Sequence, residues 1–324
     1  MPPEIPKPMF RRSLIAGTAG ALALPAILRA QALPKITIGM SGWTGFAPLT
    51  LAEQAGLFKA NGVEVETKFV PQRERNLALA SGALNCVVTT VDTMILWAST
   101  IPLVQVLVLD RSHGGDGLGA RPTIGSIADL KGKTIAVDGP GTSPYFLMAY
   151  MLRENGMTVR DVQTATLAPQ PAAQAFAAGQ FDACATYEPY LSTVRGLGAE
   201  KAKVLATTLD YPCIVDTLAF QPAFIAANPE AVKRVAKSWF DAVEMIKAEP
   251  DRSFEIMGKR VNQSAEAFKA SAGFIEWMDA AKNKAYVAEG LPEFQRKAHV
   301  VQRETGVVRQ DVDLSKLLDT RFVA

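Results

Sequence analysis

The sequence predicts an α/β protein made of two doubly wound lobes joined by a two-segment hinge. Three observations predict it. Strand-like β-branched runs alternate with helical runs through much of the chain, the pattern of a sheet wrapped by helices. The length, 324 residues, suits two cores better than one. A glycine-rich stretch, Ser112-His113-Gly114-Gly115-Asp116-Gly117, interrupts the alternation and is suited to a crossing between lobes.

The elements follow in order. Lys35–Met40 reads as a short strand, and after a Gly/Trp/Thr-rich turn Leu49, Leu51, Ala52, Ala55, Leu57 and Phe58 carry helical spacing until Gly62 stops it. Val63–Val70 alternates apolar and polar residues and closes a βαβ unit. A short helix over Asn76–Ala80, a buried strand at Cys86–Val88, a helix over Asp92–Ser99 and an apolar strand at Leu103–Leu109 repeat the cycle. Past the glycines, Thr134–Val137 is a strand, and a Gly-Pro-Gly-Thr-Ser loop opens a helix over Tyr145–Asn155. Val162–Leu167 and Ala183–Thr186 are strands flanking a helix at Ala172–Ala178, and Val204–Thr207 adds another strand. Ile214–Phe220 is the expected return strand through a second hinge. From Pro229 the chain reads as almost all helix, with Val232, Val235, Ala236, Trp239, Phe240, Val243 and Ile246 on one face. The expected division is 33–111 plus 217–324 for the first lobe and 112–216 for a second, inserted lobe.

Residues 1–32 stand apart. Lys7, Arg11 and Arg12 precede the apolar run Leu14–Leu28, and Ala30-Gln31-Ala32 has the small-x-small form of a cleavage site, so a signal peptide cleaved near Ala32 is expected. Arg11-Arg12-Ser13-Leu14-Ile15 resembles the twin-arginine export signal, which is favoured over general secretion. The apolar run is shorter than the ~20 residues of a membrane span, and no later run reaches that length, so no membrane span is expected.

Charge excludes a nucleic-acid role: 34 basic residues face 32 acidic ones, with no basic run among them. Removing residues 1–32 takes away four bases (Lys7, Arg11, Arg12, Arg29) and one acid (Glu4), which leaves a nearly neutral body. Cys86, Cys184 and Cys213 are odd in number, widely spaced and without a CxxC, which argues against a disulfide framework and a zinc site. They read as small buried hydrophobes, with a Cys184–Cys213 bond left open. Neither a metal nor a cofactor is called for.

In open α/β sheets ligands bind beyond the carboxyl ends of the strands, where helix N-termini present unpaired N–H groups. That rule selects Ser41–Phe46, Pro71–Glu74 and Thr89–Thr93 in the first half, and Pro140–Ser143 and Thr186–Tyr190 in the second. These loops carry hydroxyls, an indole, phenols and carboxylates, the groups that grip a small polar solute.

The same loops carry a resemblance. Trp43–Leu49, Leu51–Phe58 and Gly62–Val65, then Leu79–Ala83, Ile127–Val137, Ala177–Ala183 and Tyr187–Tyr190, resemble segments of the periplasmic binding proteins for nitrate, taurine, aliphatic sulfonates and thiamine pyrimidine precursors. The resemblance covers nearly all of the chain after the signal. It implies a type II periplasmic binding protein fold, a periplasmic location, a small-molecule solute held between the lobes, and partnership with the permease and ATPase of an ABC importer. The protein is then expected to act as a monomer and to be no enzyme.

The expected contacts are Trp43, Thr44, Gly45, Gln72, Thr90, Asp92, Thr142, Ser143, Tyr187, Glu188 and Asp216. Trp43 lies in a Gly-flanked loop, which favours the pocket over the core. Thr90, Thr142 and Ser143 stand where hydroxyls cap helices, a role worth ~1 kcal/mol, and are divided evenly between cap and contact. Asp92 suits either a helix N-terminal charge or a contact, and Glu188 either an ion pair with Arg195 or a contact; the contact is preferred for both. Among these rim positions only Arg73 and Arg111 are basic, whereas Asp92, Glu188 and Asp216 are acidic. That balance favours a zwitterion, a cation or a neutral heterocycle over a simple anion. A taurine-like amine and a thiamine-type pyrimidine both remain open.

Two other readings compete. Pyrimidine-synthase-like enzymes resemble these binding proteins, but they carry a Cys-rich motif and active-site histidines. Here the only histidines are His113, in the glycine stretch, and His299, in a polar helix. A periplasmic sensor receptor uses the same lobe closure to signal to another protein.

Overall fold

The coordinates are a computed structural model that describes Met1, Pro3, Glu4 and residues 33–323; the expected signal peptide lies outside the described residues. β-branched and alternating runs become the strands β1 (Ile36–Met40), β2 (Val65–Phe69), β3 (Cys86–Thr90), β4 (Val104–Ser112), β5 (Asp116–Ala120), β6 (Thr134–Val137), β7 (Gln163–Thr166), β8 (Ala183–Tyr187), β9 (Lys203–Thr207), β10 (Val215–Phe220) and β11 (Ile275–Trp277). The helices between them are α1 (Ala47–Gln54), α2 (Leu57–Ala60), α3 (Gln72–Ala80), α4 (Val91–Ala98), α5 (Ser143–Glu154), α6 (Pro169–Ala177) and α7 (Leu191–Arg195). After β10 come α8 (Pro222–Ala227), α9 (Pro229–Ala248), α10 (Pro250–Arg260) and α11 (Ala265–Ala272), and after β11 come α12 (Ala280–Ala288) and α13 (Gly290–Glu304).

The strands form two sheets, the α/β architecture expected. The first runs β2-β1-β3-β10-β4-β11, with β1 parallel to β2 and β3 and with β10 antiparallel to both β3 and β4. The second runs β7-β6-β8-β5-β9, with β6 parallel to β7 and β8 and with β5 antiparallel to β8 and β9. The chain passes between sheets twice, at 113–115 and at 208–214. The crossings are stitched together: Thr208 Oγ1 lies 2.8 Å from Ser112 Oγ and accepts from the Gly114 N–H at 2.8 Å.

The C-terminal helices pack on the first sheet. On α9 Val232, Val235, Ala236, Trp239, Val243 and Ile246 are buried as the periodicity requires, while Phe240 is half-buried. Each large aliphatic in that stripe contributes about 1.5–3 kcal/mol on burial, and Trp239 Nε1 donates to Met278 O at 3.0 Å, so its one polar atom is satisfied. All three cysteines are buried and unpaired.

The structure departs from the sequence reading in three places. α3 begins at Gln72, before the expected Asn76, because Pro71 supplies a fixed extended entry at its N-cap (φ −52°, ψ 140°). Within the expected glycine crossing, Asp116–Ala120 is the strand β5. Its glycines admit α7: a Cβ at Gly117 would sit 2.9 Å from Leu191 Cδ2, and one at Gly119 would sit 2.6 Å from Val194 Cγ1. The helical C-terminal region is interrupted by β11, which pairs with β4.

Candidate functional site

The antiparallel insertion of β10 between β3 and β4 aligns a row of side chains across the first sheet. Asp216 faces Thr90 on β3 and Asp110 on β4, and Asp110 faces Trp277 on β11. Two aspartates directly opposite each other repel when both are ionised. In the second sheet Asp116, the first residue of β5, faces Tyr187 at the end of β8. These two rims meet around a cavity of about 10 Å³, room for about one water.

From the first sheet's side the cavity is lined by Ser41, Trp43 and Phe46 of the loop after β1 and by Gln72 and Arg75 of α3, with Thr89, Thr90 and Asp216 as its floor. From the second side come Asp116, Ser143 and Tyr187, and Ile214 enters from the crossing. Trp43 is buried and oriented by its own hydrogen bond, Nε1 donating to Asp110 Oδ1 at 3.1 Å. Its ring meets Tyr187 edge to face, with centroids 5.6 Å apart and planes at 76°. Gln72 spans the rims: its Nε2 donates to Thr89 Oγ1 (3.2 Å) and Thr93 Oγ1 (2.9 Å), and its Oε1 accepts from Ser143 N (3.5 Å) and Oγ (3.4 Å). Thr90 and Thr142 occupy N-cap positions, but neither hydroxyl caps its helix; Thr90 Oγ1 donates to Thr93 Oγ1 at 3.0 Å and Thr142 Oγ1 to Gly139 O at 2.8 Å.

Of the eleven expected contacts, the structure therefore brings Trp43, Gln72, Thr90, Ser143, Tyr187 and Asp216 to one cavity. The other five stand behind its wall. Thr44 N donates to Glu188 O at 3.3 Å, a backbone tie between the two sides. Gly45 is a packing position, since a Cβ there would lie 2.2 Å from Trp43 Nε1 and 2.4 Å from Asp110 Oδ2. Asp92 and Thr142 line a separate small cavity with Gln302 and Thr305. The Glu188 carboxylate is buried away from the cavity: Oε1 accepts from Arg195 Nε at 3.2 Å, and Oε2 accepts from Ser192 N at 3.1 Å and Ser192 Oγ at 2.6 Å. The ion pair with Arg195 takes Oε1, while Oε2 is held by Ser192 and, at 3.5 Å, by Ser271 Oγ.

Two charged lining residues, Arg75 and Asp116, escaped the sequence reading, and Arg75 corrects its charge argument. Arg75 is 1% exposed, with Nε held by Val70 O (2.8 Å) and Nη1 by Val88 O (2.6 Å), while Nη2 has no partner. The cavity thus owns a guanidinium, whereas the two arginines considered from sequence are engaged elsewhere, Arg73 with Asp138 at 3.1 Å and Arg111 with Glu276 at 3.5 Å. The signal for Arg75 was its spacing, three residues from Gln72 and so on the same face of a helix whose N-terminus reaches the rim. Asp116 was missed with its strand.

Burial sets the electrostatics. It lowers the Arg75 guanidinium to about 10, opposed by Tyr187 and Asp216. It raises Asp110 to about 7, against the Trp43 N–H that stabilises the carboxylate, and Asp116 to about 8, with Asp110, Asp92 and Glu188 adding repulsion. Asp216 is pushed well up by burial first and by Asp110 and Asp116 next. Asp110 and Asp216 stand directly opposite each other on neighbouring strands, so each disfavours ionisation of the other. Among the described residues no donor reaches either oxygen of Asp216, nor Oδ2 of Asp110 or Asp116.

Residues 29–258 match the family model described as the NMT1-like family. A Brucella abortus relative named only as a binding protein is 26% identical over 312 residues, covering 95% of this chain and 94% of its own. The taurine-binding periplasmic protein of Escherichia coli is 28% identical over 237 residues, 71% of this chain and 72% of its own. Among solved structures, the alkanesulfonate-binding protein SsuA from Xanthomonas axonopodis superposes with a TM-score of 0.76 over 89% of this chain and 99% of that one, at 18% identity. The desulfurization enzyme DSZB superposes at 0.64 over 89% and 97% with 14% identity, so the fold is shared by binders and at least one enzyme.

Proposed function

The chain belongs to the NMT1-like family, and from that premise we propose that it is a solute-binding protein that captures a small polar molecule between two lobes and delivers it to the permease and ATPase of an ABC importer. The lobes are the two sheets with their helices, hinged at 113–115 and 208–214. In this reading residues 1–32 export the chain to the periplasm, where it works as a monomer.

One observation carries the reading: the cavity lies where the two sheets' rims meet, and each side contributes charged or hydrogen-bonding groups to it, Arg75 and Asp216 from one and Asp116, Ser143 and Tyr187 from the other. A molecule touching both sides stabilises the closed arrangement over an open one, which is how ligand binding drives lobe closure. The names of the relatives support binding over catalysis, and the taurine- and alkanesulfonate-binding proteins among them make a sulfonate-like zwitterion the first candidate, ahead of a thiamine-type pyrimidine.

The test is equilibrium binding, by calorimetry, of taurine, alkanesulfonates, nitrate and thiamine-related pyrimidines to the protein lacking residues 1–32, followed by analysis of the recovered ligand. Saturable binding with the ligand returned unchanged supports the proposal. A chemically altered ligand moves the protein to the enzyme reading.

A further inference from the structure

We propose that Asp116 and Asp216, backed by Asp110 and opposed by Arg75, form a zwitterion site, in which the ligand's ammonium seats between carboxyls of the two sheets and its acid group takes Nη2 of Arg75. This rests on the solute-binding reading, in which the lobes part to widen the present one-water cavity around the ligand, and it narrows the ligand to a compact molecule with an amine at one end and a carboxylate or sulfonate at the other.

Buried polar groups are normally partnered, and each one left over costs free energy. Here, among the described residues, the leftovers are of both kinds and in one cavity: a guanidinium nitrogen of Arg75 without an acceptor, and carboxyl oxygens of Asp116 and Asp216 without donors, with Asp110 behind Asp216 on the neighbouring strand likewise short of a donor at Oδ2. Arg75, Asp116 and Asp216 are no more than 2% exposed. A simple anion satisfies Arg75 but leaves the carboxyls repelling it; a simple cation does the reverse. A zwitterion satisfies both and adds no net charge to a buried site.

The charge balance is specific. If one carboxyl is ionised as counter-charge to Arg75 and the others, raised by burial, hold their protons, the site is neutral before a ligand arrives. An arriving zwitterion pairs its acid group with Arg75 and its ammonium with the ionised carboxylate, so no proton need enter or leave. A deaminated anion brings an uncompensated negative charge and must take up a proton. The charged or titratable groups around Asp216 are Asp110 on β4, Asp116 on β5, Asp92 on α4 and Arg75 on α3, with Tyr187 on β8 next to Arg75 and Glu188 beside Asp116.

The experiment is calorimetric titration of the protein lacking residues 1–32 with taurine and β-alanine, and with their deaminated counterparts ethanesulfonate and propionate, in two buffers of different ionisation enthalpy. At least one amine should bind about thirtyfold more tightly than its counterpart, with no net proton exchange. Asp216→Asn, which keeps the side-chain volume, should erase that ratio, weakening the amine and, with one repelling carboxyl gone, strengthening its deaminated counterpart; Asp116→Asn serves if that variant fails to fold. Counterparts that bind as tightly as the amines, or a ratio that survives both substitutions, overturn the proposal. If nitrate or a pyrimidine binds and no amine does, this proposal falls and the solute-binding reading stands; if nothing binds, both fall.

Discussion

Replacing Glu188 with alanine is expected to cost stability and to leave the cavity's chemistry intact, the opposite of what a ligand contact would do. The carboxylate is fully buried and takes four donors, Arg195 Nε, Ser192 N, Ser192 Oγ and, at 3.5 Å, Ser271 Oγ. Removing one partner of a buried pair costs about 3–5 kcal/mol when the charge left behind has no other recourse. Arg195 has some: its side chain is 29% exposed, its Nη2 donates to Gly114 O at 2.8 Å, and its guanidinium lies 4.2 Å from the Phe274 ring centroid. The Ser192 N–H, by contrast, loses its acceptor. A loss of about 2–4 kcal/mol follows. Urea unfolding of the protein lacking residues 1–32, followed by far-UV circular dichroism and tryptophan fluorescence, measures it, and agreement of the two probes licenses a single free energy. A stability change below about 0.5 kcal/mol together with a tenfold loss of solute affinity would refute the structural assignment.

Other perturbations follow from the same geometry. Trp43→Ala should weaken solute binding at least about tenfold, or 1.4 kcal/mol, in protein that remains folded, as calorimetry reads it; unchanged affinity would remove the indole from the site. Gly45→Ala drives a methyl into Trp43 Nε1 and Asp110 Oδ2, so it should cost about 1–3 kcal/mol in urea unfolding. The buried acids set a pH dependence. Asp110 and Asp116, raised to about 7 and 8 in the folded protein, bind protons more tightly folded than unfolded. Their contribution is therefore fully present below the unfolded carboxylate range near pH 4 and is lost as pH rises through about 7–8. The melting temperature without solute should fall between about pH 5 and pH 8, and Asp216→Asn, by removing an acid whose own carboxyl is raised well above the ordinary range in the folded protein, should flatten the fall. A melting temperature that rises over this interval, in a protein otherwise intact, contradicts it.

Much of the fold is legible in the sequence because its parallel strands are apolar or alternate cleanly: Ile36–Met40, Val65–Phe69 and Cys86–Thr90 show their period whatever surrounds them. β5 is not legible, because Asp116-Gly117-Leu118-Gly119-Ala120 has the composition of a loop, and its glycines make sense only once α7 is seen lying on them. The site divides along the same line. Loops beyond strand ends give Trp43, Gln72, Ser143 and Tyr187 directly. Arg75 is hidden in Gln72-Arg73-Glu74-Arg75, where its composition matches that of the exposed Arg73 and only its spacing from Gln72 on one helix face sets it apart. Glu188 has Arg195 seven residues on, but whether its carboxylate turns to that arginine or to the cavity is decided by tertiary packing.

The most direct test of capture between the two rims is a thermal-shift screen of the protein lacking residues 1–32 against zwitterions, alkanesulfonates, nitrate and thiamine-related pyrimidines, run in parallel on an Arg75→Met variant. A true ligand at a hundred times its dissociation constant adds about 2.7 kcal/mol of stability, and that gain should appear with one chemical class and vanish in the variant. Stabilisation that persists without the Arg75 guanidinium would place the solute elsewhere on the molecule.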